Sequence, residues 1–154
     1  MKHIGLIGLA GSGKDTAAEG LGKVGYWKCA FAGHLKNLAY EFGWDGQKNE
    51  RGRTLLQDLG MAARKYNANF WIEQIRNWPS WKNVPIVFTD VRFQNEADFV
   101  RSKGGIVVRI VRPGIISGNH ESELKQADIP ADIEIVNDGS IEDLHNKIRA
   151  ILTK

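Results

Sequence analysis

The chain has 154 residues, 42% of them hydrophobic and 25% charged, which fits one globular domain over residues 1–154 with a single buried core. Its formal net charge of +3 suits an anionic ligand, but no dense Lys/Arg run is present to track nucleic acid. No stretch approaches the roughly 18 apolar residues of a membrane span, the N-terminus lacks a cleavable signal pattern, and the lone Cys29 forms no internal disulfide and fits a small core residue in a reducing cytoplasm.

Residues 4–9 read as a short buried strand, followed by a glycine-rich turn and a helix from about Lys14 to Leu21. Residues 26–31 form a candidate second strand. His34 to Phe42 places Leu35, Leu38, Ala39 and Phe42 at helical spacing, and the polar, three-glycine stretch 43–52 reads as a loop. Residues 53–66 put Leu55, Leu56, Leu59, Ala62, Ala63 and Tyr66 on one helical face. A further helix spans about Asn69 to Trp78 and stops at Pro79. The apolar run Pro85 to Phe88, ending in Thr89 and Asp90, suggests a buried parallel strand. Phe93 to Lys103 is helical, Gly104-Gly105 closes it, and 106–111 is a strand. Residues 113–132 read as loop with one helical turn, and 133–136 as a last strand. The final helix is capped by Ser140 with Asp143 three residues on, and Ile141, Leu144, Ile148 and Ile151 form its apolar stripe. Strands alternating with helices imply an α/β fold with a parallel sheet covered on both faces, and ligands bound beyond the carboxyl ends of the strands.

Gly8-Leu-Ala-Gly11-Ser12-Gly13-Lys14-Asp15-Thr16 follows the first strand and opens the first helix, the context a phosphate-binding loop requires. Glycines let main-chain N–H groups turn toward phosphate oxygens, the helix terminus adds partial positive charge, and Lys14 reaches the outer phosphates. The usual hydroxyl after the lysine is replaced by Asp15, with Thr16 next. An acid in the first helical turn gains about 0.3–1 kcal/mol from the helix dipole. A carboxylate ~5 Å from a phosphate costs ~3 kcal/mol at an effective dielectric of ~20. Asp15 is therefore expected to touch a magnesium shell or to point away.

Gly13-Lys14-Asp15-Thr16 resembles the phosphate loop of the phage deoxynucleoside monophosphate kinases. Phe31 to Lys36, Leu55 to Gly60 with Phe70-Trp71, Asp90-Val-Arg92-Phe-Gln-Asn-Glu96, Val111-Arg-Pro-Gly114, His120-Glu-Ser-Glu123 and Asn137-Asp-Gly-Ser140 resemble the same family in the same order. The resemblance covers most of the chain, which is short for the family and nearly lacks the insertions expected between 43 and 53. It implies a three-layer P-loop kinase fold, a five-stranded parallel sheet with helices on both faces, and an ATP- and Mg2+-dependent enzyme that makes deoxynucleoside diphosphates. It also implies a helical acceptor-binding region over about 34–80 and a lid-like segment over about 113–132.

On that footing Gly11, Ser12, Gly13, Lys14, Asp15 and Thr16 hold the ATP phosphates, and Asn137, Asp138 and Gly139 border the adenine. Asp90 holds a magnesium-bound water, with Asp15 as second metal candidate, although a strand-end Asp also commonly caps a helix. Arg92 serves the acceptor or transferring phosphate, for which a guanidinium fork is suited; a pair with Glu96 is its plainer use. Arg112 contacts phosphates on closure, with His120 and Lys125 in the same segment. Lys36, Arg53, Gln57 and Arg64 supply charge and hydrogen bonds to the acceptor, and Trp71 either stacks on its base or packs in the core. The expected partners are ATP and a deoxynucleoside monophosphate, without nucleic acid or membrane. The setting is the cytoplasm, the host's if the gene is a phage's, and a homodimer is an allowed assembly. Other readings are a dephospho-coenzyme A kinase-like enzyme, a non-catalytic nucleotide-binding module and a nucleic-acid-dependent ATPase.

Overall fold

The structure is a computed structural model that describes residues 2–77, 83–118 and 121–153. The chain divides into two compact units, Met1–Ala30 with Pro79–Lys154 and Phe31–Trp78. No helix among the described residues is long and apolar enough to cross a membrane.

The first unit is built on five parallel strands: β1 (Ile4–Ile7), β2 (Trp27–Cys29), β3 (Ile86–Phe88), β4 (Ile106–Val111) and β5 (Ile133–Val136), in the order β2-β3-β1-β4-β5. Parallel strands need crossovers and so are buried on both faces, which is why β1 and β3 read as continuous apolar runs. Successive side chains alternate between faces. Ile4 and Leu6 join Val108, Ile110 and Ile135 on one face, where helices α1 (Lys14–Gly22) and α7 (Ile141–Ala150) supply Ala17, Ala18, Leu21, Leu144 and Ile148. Gly5 faces the other way, and a Cβ there would meet Val91 at 3.0 Å and Val100 at 3.3 Å, which places helix α5 (Gln94–Ser102) on the second face. The three layers expected from the sequence are present.

The second unit is helical: α2 (Gly33–Glu41), α3 (Glu50–Tyr66) and α4 (Phe70–Arg76). The expected loop over 43–52 ends earlier than its glycines suggest. Asn49 caps α3 by accepting from the Gly52 N–H at 2.9 Å. Gly52 lies inside the helix because any side chain would run into the Gln47 carbonyl and the Trp44 ring N–H. The expected apolar face of α3 is also corrected: Leu55, Leu56 and Leu59 are half-buried, Tyr66 is 88% exposed, and the fully buried positions are Gly52 and Gly60. α4 ends at Arg76, and the expected stop at Trp78 and Pro79 lies outside the described residues.

Two further expectations change. Residues 113–132 contain a two-turn helix, α6 (Glu121–Ala127), in place of the expected single turn. Ile141 is 67% exposed, and the inward stripe of α7 is instead Leu144, His145 and Ile148, continued by Ile151. Ser140 does cap α7, accepting from the Asp143 N–H at 3.1 Å while the Asp143 carboxylate accepts from the Ser140 N–H at 2.8 Å.

His145 joins α7 to α1. Its Nε2 donates to the Thr16 carbonyl at 3.0 Å, so its Nδ1 is left to accept from Lys23 at 3.4 Å. A Cβ at Gly20 would meet the His145 ring at 2.7 Å and its Cα at 3.2 Å, whereas one at Gly22 would meet nothing. Overpacking costs about 1–3 kcal/mol and a helical Gly→Ala change gains about 1 kcal/mol. Gly20→Ala is therefore expected to lower the urea midpoint, and Gly22→Ala to leave it unchanged or raise it, with a stability gain of up to about 1 kcal/mol. Equal shifts for the two variants would show that α1 does not pack on α7 through Gly20.

Candidate functional site

β1 stops at Ile7 and α1 starts at Lys14, so residues 8–13 must turn the chain from strand to helix within six positions. Gly8, Gly11 and Gly13 all take positive φ. At Gly13 (φ 104°) a side chain would be strained and its Cβ would lie 2.5 Å from the Asn137 amide nitrogen. The Ser12 N–H donates to the Leu9 carbonyl at 3.1 Å, closing the turn. No side chain caps α1, so its first N–H groups stay available as donors for an anion at the positive end of the helix.

Lys14 curls back over this loop and donates to the carbonyls of Gly8 at 2.6 Å and Leu9 at 2.9 Å. Burial, and next the positive charge of Arg92, push its pKa below that of a free lysine; the charges of Asp15, Glu123 and Asp90 oppose the shift. These groups therefore share one electrostatic neighbourhood. Two cations with carboxylates around them, next to the free N–H groups of the α1 terminus, are chemically suited to a phosphate group.

Asp90 is half-buried just past the end of β3, whose neighbour in the sheet is β1. Its charge, after burial, is a cause of the Cys29 thiol being pushed up to about 12. Arg92 is exposed. Glu96, 1% exposed, accepts from the main-chain N–H groups of Arg92 at 2.8 Å and Phe93 at 3.2 Å, so its carboxylate fixes the backbone leading into α5. Asp15 is exposed, Thr16 half-buried, and the Thr16 carbonyl is held by His145.

Asn137 donates to the Ser12 carbonyl at 2.9 Å and thereby ties the turn after β5 to the phosphate loop. Asp138 is exposed and pairs with Lys147 at 2.6 Å; that hydrogen bond, first among several causes, holds its carboxyl below the usual range. Gly139 is exposed beside Asp143. Ser12 is 1% exposed, and its hydroxyl has no hydrogen-bond partner among the described residues. Arg112 is exposed at the end of β4, and Ile115 beyond it reaches within 3.5 Å of where a Gly11 Cβ would stand. Lys125 pairs with Glu121 at 2.6 Å, and His120 lies outside the described residues.

The second unit carries the expected acceptor residues. Lys36 and Arg53 are exposed, Gln57 and Arg64 half-buried, and Arg64 lies 3.4 Å from the Gly60 carbonyl. Trp71 is corrected toward the core: it is 1% exposed, donates its ring N–H to the Gly60 carbonyl at 3.3 Å and meets Phe70 edge-on, so no base stacks on it in this conformation. A depression of about 610 Å3 in this unit is lined by other residues, among them Phe42, Asp45, Arg51 and Asp58.

Sequence reading missed three polar side chains that shape the site: Glu96, His145 and Gln126. Gln126 is 4% exposed and accepts from the Gly8 N–H at 3.2 Å. Its signal was available, because Glu-Ser-Glu-Leu-Lys-Gln-Ala (121–127) is mostly strong helix formers.

A parallel sheet with a glycine-rich loop and lysine after its first strand defines the class of P-loop kinases. The solved structures that resemble it have the same fold. They include shikimate kinase from Aquifex aeolicus (14% identity, 98% of this chain and 96% of that chain, TM-score 0.57) and TT1252 from Thermus thermophilus (19%, 99% and 96%, TM-score 0.58). A family model described as deoxynucleotide monophosphate kinase matches residues 48–148. A protein of Acanthamoeba polyphaga mimivirus assigned to that activity is 35% identical over 96% of this chain and 94% of its own length. The deoxynucleotide monophosphate kinase of Enterobacteria phage T4 is 30% identical over 65% of this chain but only 44% of its own length. The chain belongs to the deoxynucleotide monophosphate kinase family.

Gly13→Ala joins a disfavoured backbone angle to a clash with Asn137, at a combined cost of about 1–3 kcal/mol or more. It is expected to weaken ATP binding at least about 10-fold, measured by calorimetry, as about 1.4 kcal/mol of lost loop geometry would do. Unchanged ATP affinity would mean that the loop does not need this angle.

Proposed function

We propose that this chain transfers the γ-phosphoryl group of ATP to a deoxynucleoside monophosphate, giving the deoxynucleoside diphosphate and ADP. The observation that carries the reading is the half-buried Lys14 ammonium, folded over the glycine loop with Arg92 as a second cation beside it. Phosphoryl transfer asks little covalent chemistry of the protein. It asks that two anionic substrates be held in line and that charge on the moving group be neutralised.

Lys14 and the loop amides from Gly11 to Thr16 hold the ATP phosphates, with Asn137, Asp138 and Gly139 beside the adenine. Arg92 binds the transferring or acceptor phosphate, and Arg112 joins it on closure. Asp90 and Asp15 both contribute to the field at Lys14 and are the carboxylates that fit a hydrated magnesium ion. Such an ion keeps most of its waters, needs one or two carboxylates besides phosphate oxygens, and would supply neutralising charge there. Lys36, Arg53, Gln57 and Arg64 are the acceptor-binding residues in this reading. Trp71 supports them by packing, through its bond to Gly60. The same reading has the enzyme act in the cytoplasm on free nucleotides, without nucleic acid or membrane, and a homodimer is the assembly to look for.

The test is ADP formation from Mg·ATP with each deoxy- and ribonucleoside monophosphate in turn. ADP release that depends on a deoxynucleoside monophosphate is the expected result, and no acceptor-dependent ADP with any nucleotide would contradict the reading. Arg92→Lys is expected to lower turnover at least ~10-fold, about 1.4 kcal/mol of transition-state stabilisation. Near-normal turnover would remove Arg92 from the mechanism.

A further inference from the structure

The last paired residue of β1 is Ile7, opposite Arg109 of β4. One residue on, Gly8 leaves the ladder and enters the phosphate loop while still buried. Its N–H has lost its place in the sheet, and a buried main-chain donor needs an acceptor. Gln126 supplies it at 3.2 Å, from 118 residues further along the chain. Burial alone would favour a leucine at 126; the Gly8 N–H accounts for the amide.

The carbonyl of the same glycine accepts from Lys14 at 2.6 Å. The two polar groups of Gly8 thus connect α6 on one side with the phosphate-binding lysine on the other. α6 is fastened to the sheet by Arg109, whose guanidinium donates to the carbonyls of Gln126 (3.4 Å), Ala127 (3.3 Å) and Ile129 (2.6 Å) at the helix C-terminus. Residues three apart on a helix share a face. Glu123 is three before Gln126, accepts from the Gly118 N–H at 2.6 Å, and belongs to the charges around Lys14. The face of α6 that carries Glu123 and Gln126 is therefore turned to the phosphate loop.

We propose that Gln126 is a positioning residue that couples the docking of α6 to the shape of the phosphate loop, and so to ATP affinity. This rests on the loop being the ATP phosphate site. With Gln126 in place, the Gly8 peptide is held from both ends and the loop is pre-shaped for the triphosphate. Without its acceptor, the Gly8 N–H must find water or turn, and the loop is reshaped on each binding event.

Gln126→Met keeps the length and bulk of the side chain and removes the acceptor. Calorimetry with Mg·ATP, well below the unfolding midpoint of each protein, is expected to show an ATP Kd raised at least about fivefold, the lower range of a coupling between sites. The KM for the acceptor monophosphate is expected to stay unchanged. A Kd raised less than about fivefold, with or without a lower Tm, would make Gln126 a packing residue and overturn the proposal. Should the variant not fold, amide exchange in the unaltered protein decides: the Gly8 amide is expected to be protected without nucleotide, and exchange at the rate of an exposed loop would overturn the coupling. ATP binding needs no acceptor, so a protein that binds ATP yet phosphorylates no deoxynucleotide would sink the proposed reaction and leave this test standing. A protein that binds no ATP would overturn both.

Discussion

Lys14 carries its charge to a place that water only half reaches, with Arg92 as a second cation nearby. Desolvating an ammonium is costly, and a neighbouring guanidinium adds to the cost. The fold meets this with two main-chain carbonyls, those of Gly8 and Leu9, and with the surrounding carboxylates of Asp15, Glu123 and Asp90. A polyphosphate would do better than any of these, because it brings several negative charges to the same spot. In the proposed reading, much of the first unit's layout follows from holding that ammonium where a polyphosphate would reach it.

The central position of β1 is the first consequence. β3 pairs with the strand that feeds the loop on one side and β4 on the other, and Asp90 follows the end of β3. The second consequence is that the loop is tied down from three directions by side chains far apart in sequence. Asn137 holds the Ser12 carbonyl, His145 holds the Thr16 carbonyl, and Gln126 holds the Gly8 N–H. A loop rich in glycine has much backbone entropy to lose; the bonds from Asn137 and Gln126 restrict it before a ligand arrives, and that from His145 fixes the first turn of α1 behind it. Glu96 does the same for the segment that presents Arg92.

Much of this was legible in the sequence because it is local. The phosphate loop, the strand runs and the Ser140–Asp143 cap each depend on residues a few positions apart, and periodicity and turn chemistry report such features directly. What was not legible depends on close approach or long range. The expected loop takes in Gly52 and the expected apolar face leaves out Gly60, yet these are the buried positions of α3, since there the helix lets its neighbours come near. Trp71 offered two uses, and its bond to Gly60 decides for packing. The roles of His145 and Gln126 leave no local signal, because the carbonyl and the N–H they satisfy lie more than a hundred residues away.

The most direct measurement is a crystal structure with magnesium and a non-hydrolysable ATP analogue. The account predicts that the Lys14 ammonium leaves the Gly8 and Leu9 carbonyls for the outer phosphates, while the amides of residues 11–16 point at the phosphate chain. A nucleotide bound elsewhere, with Lys14 still on those two carbonyls, would contradict it.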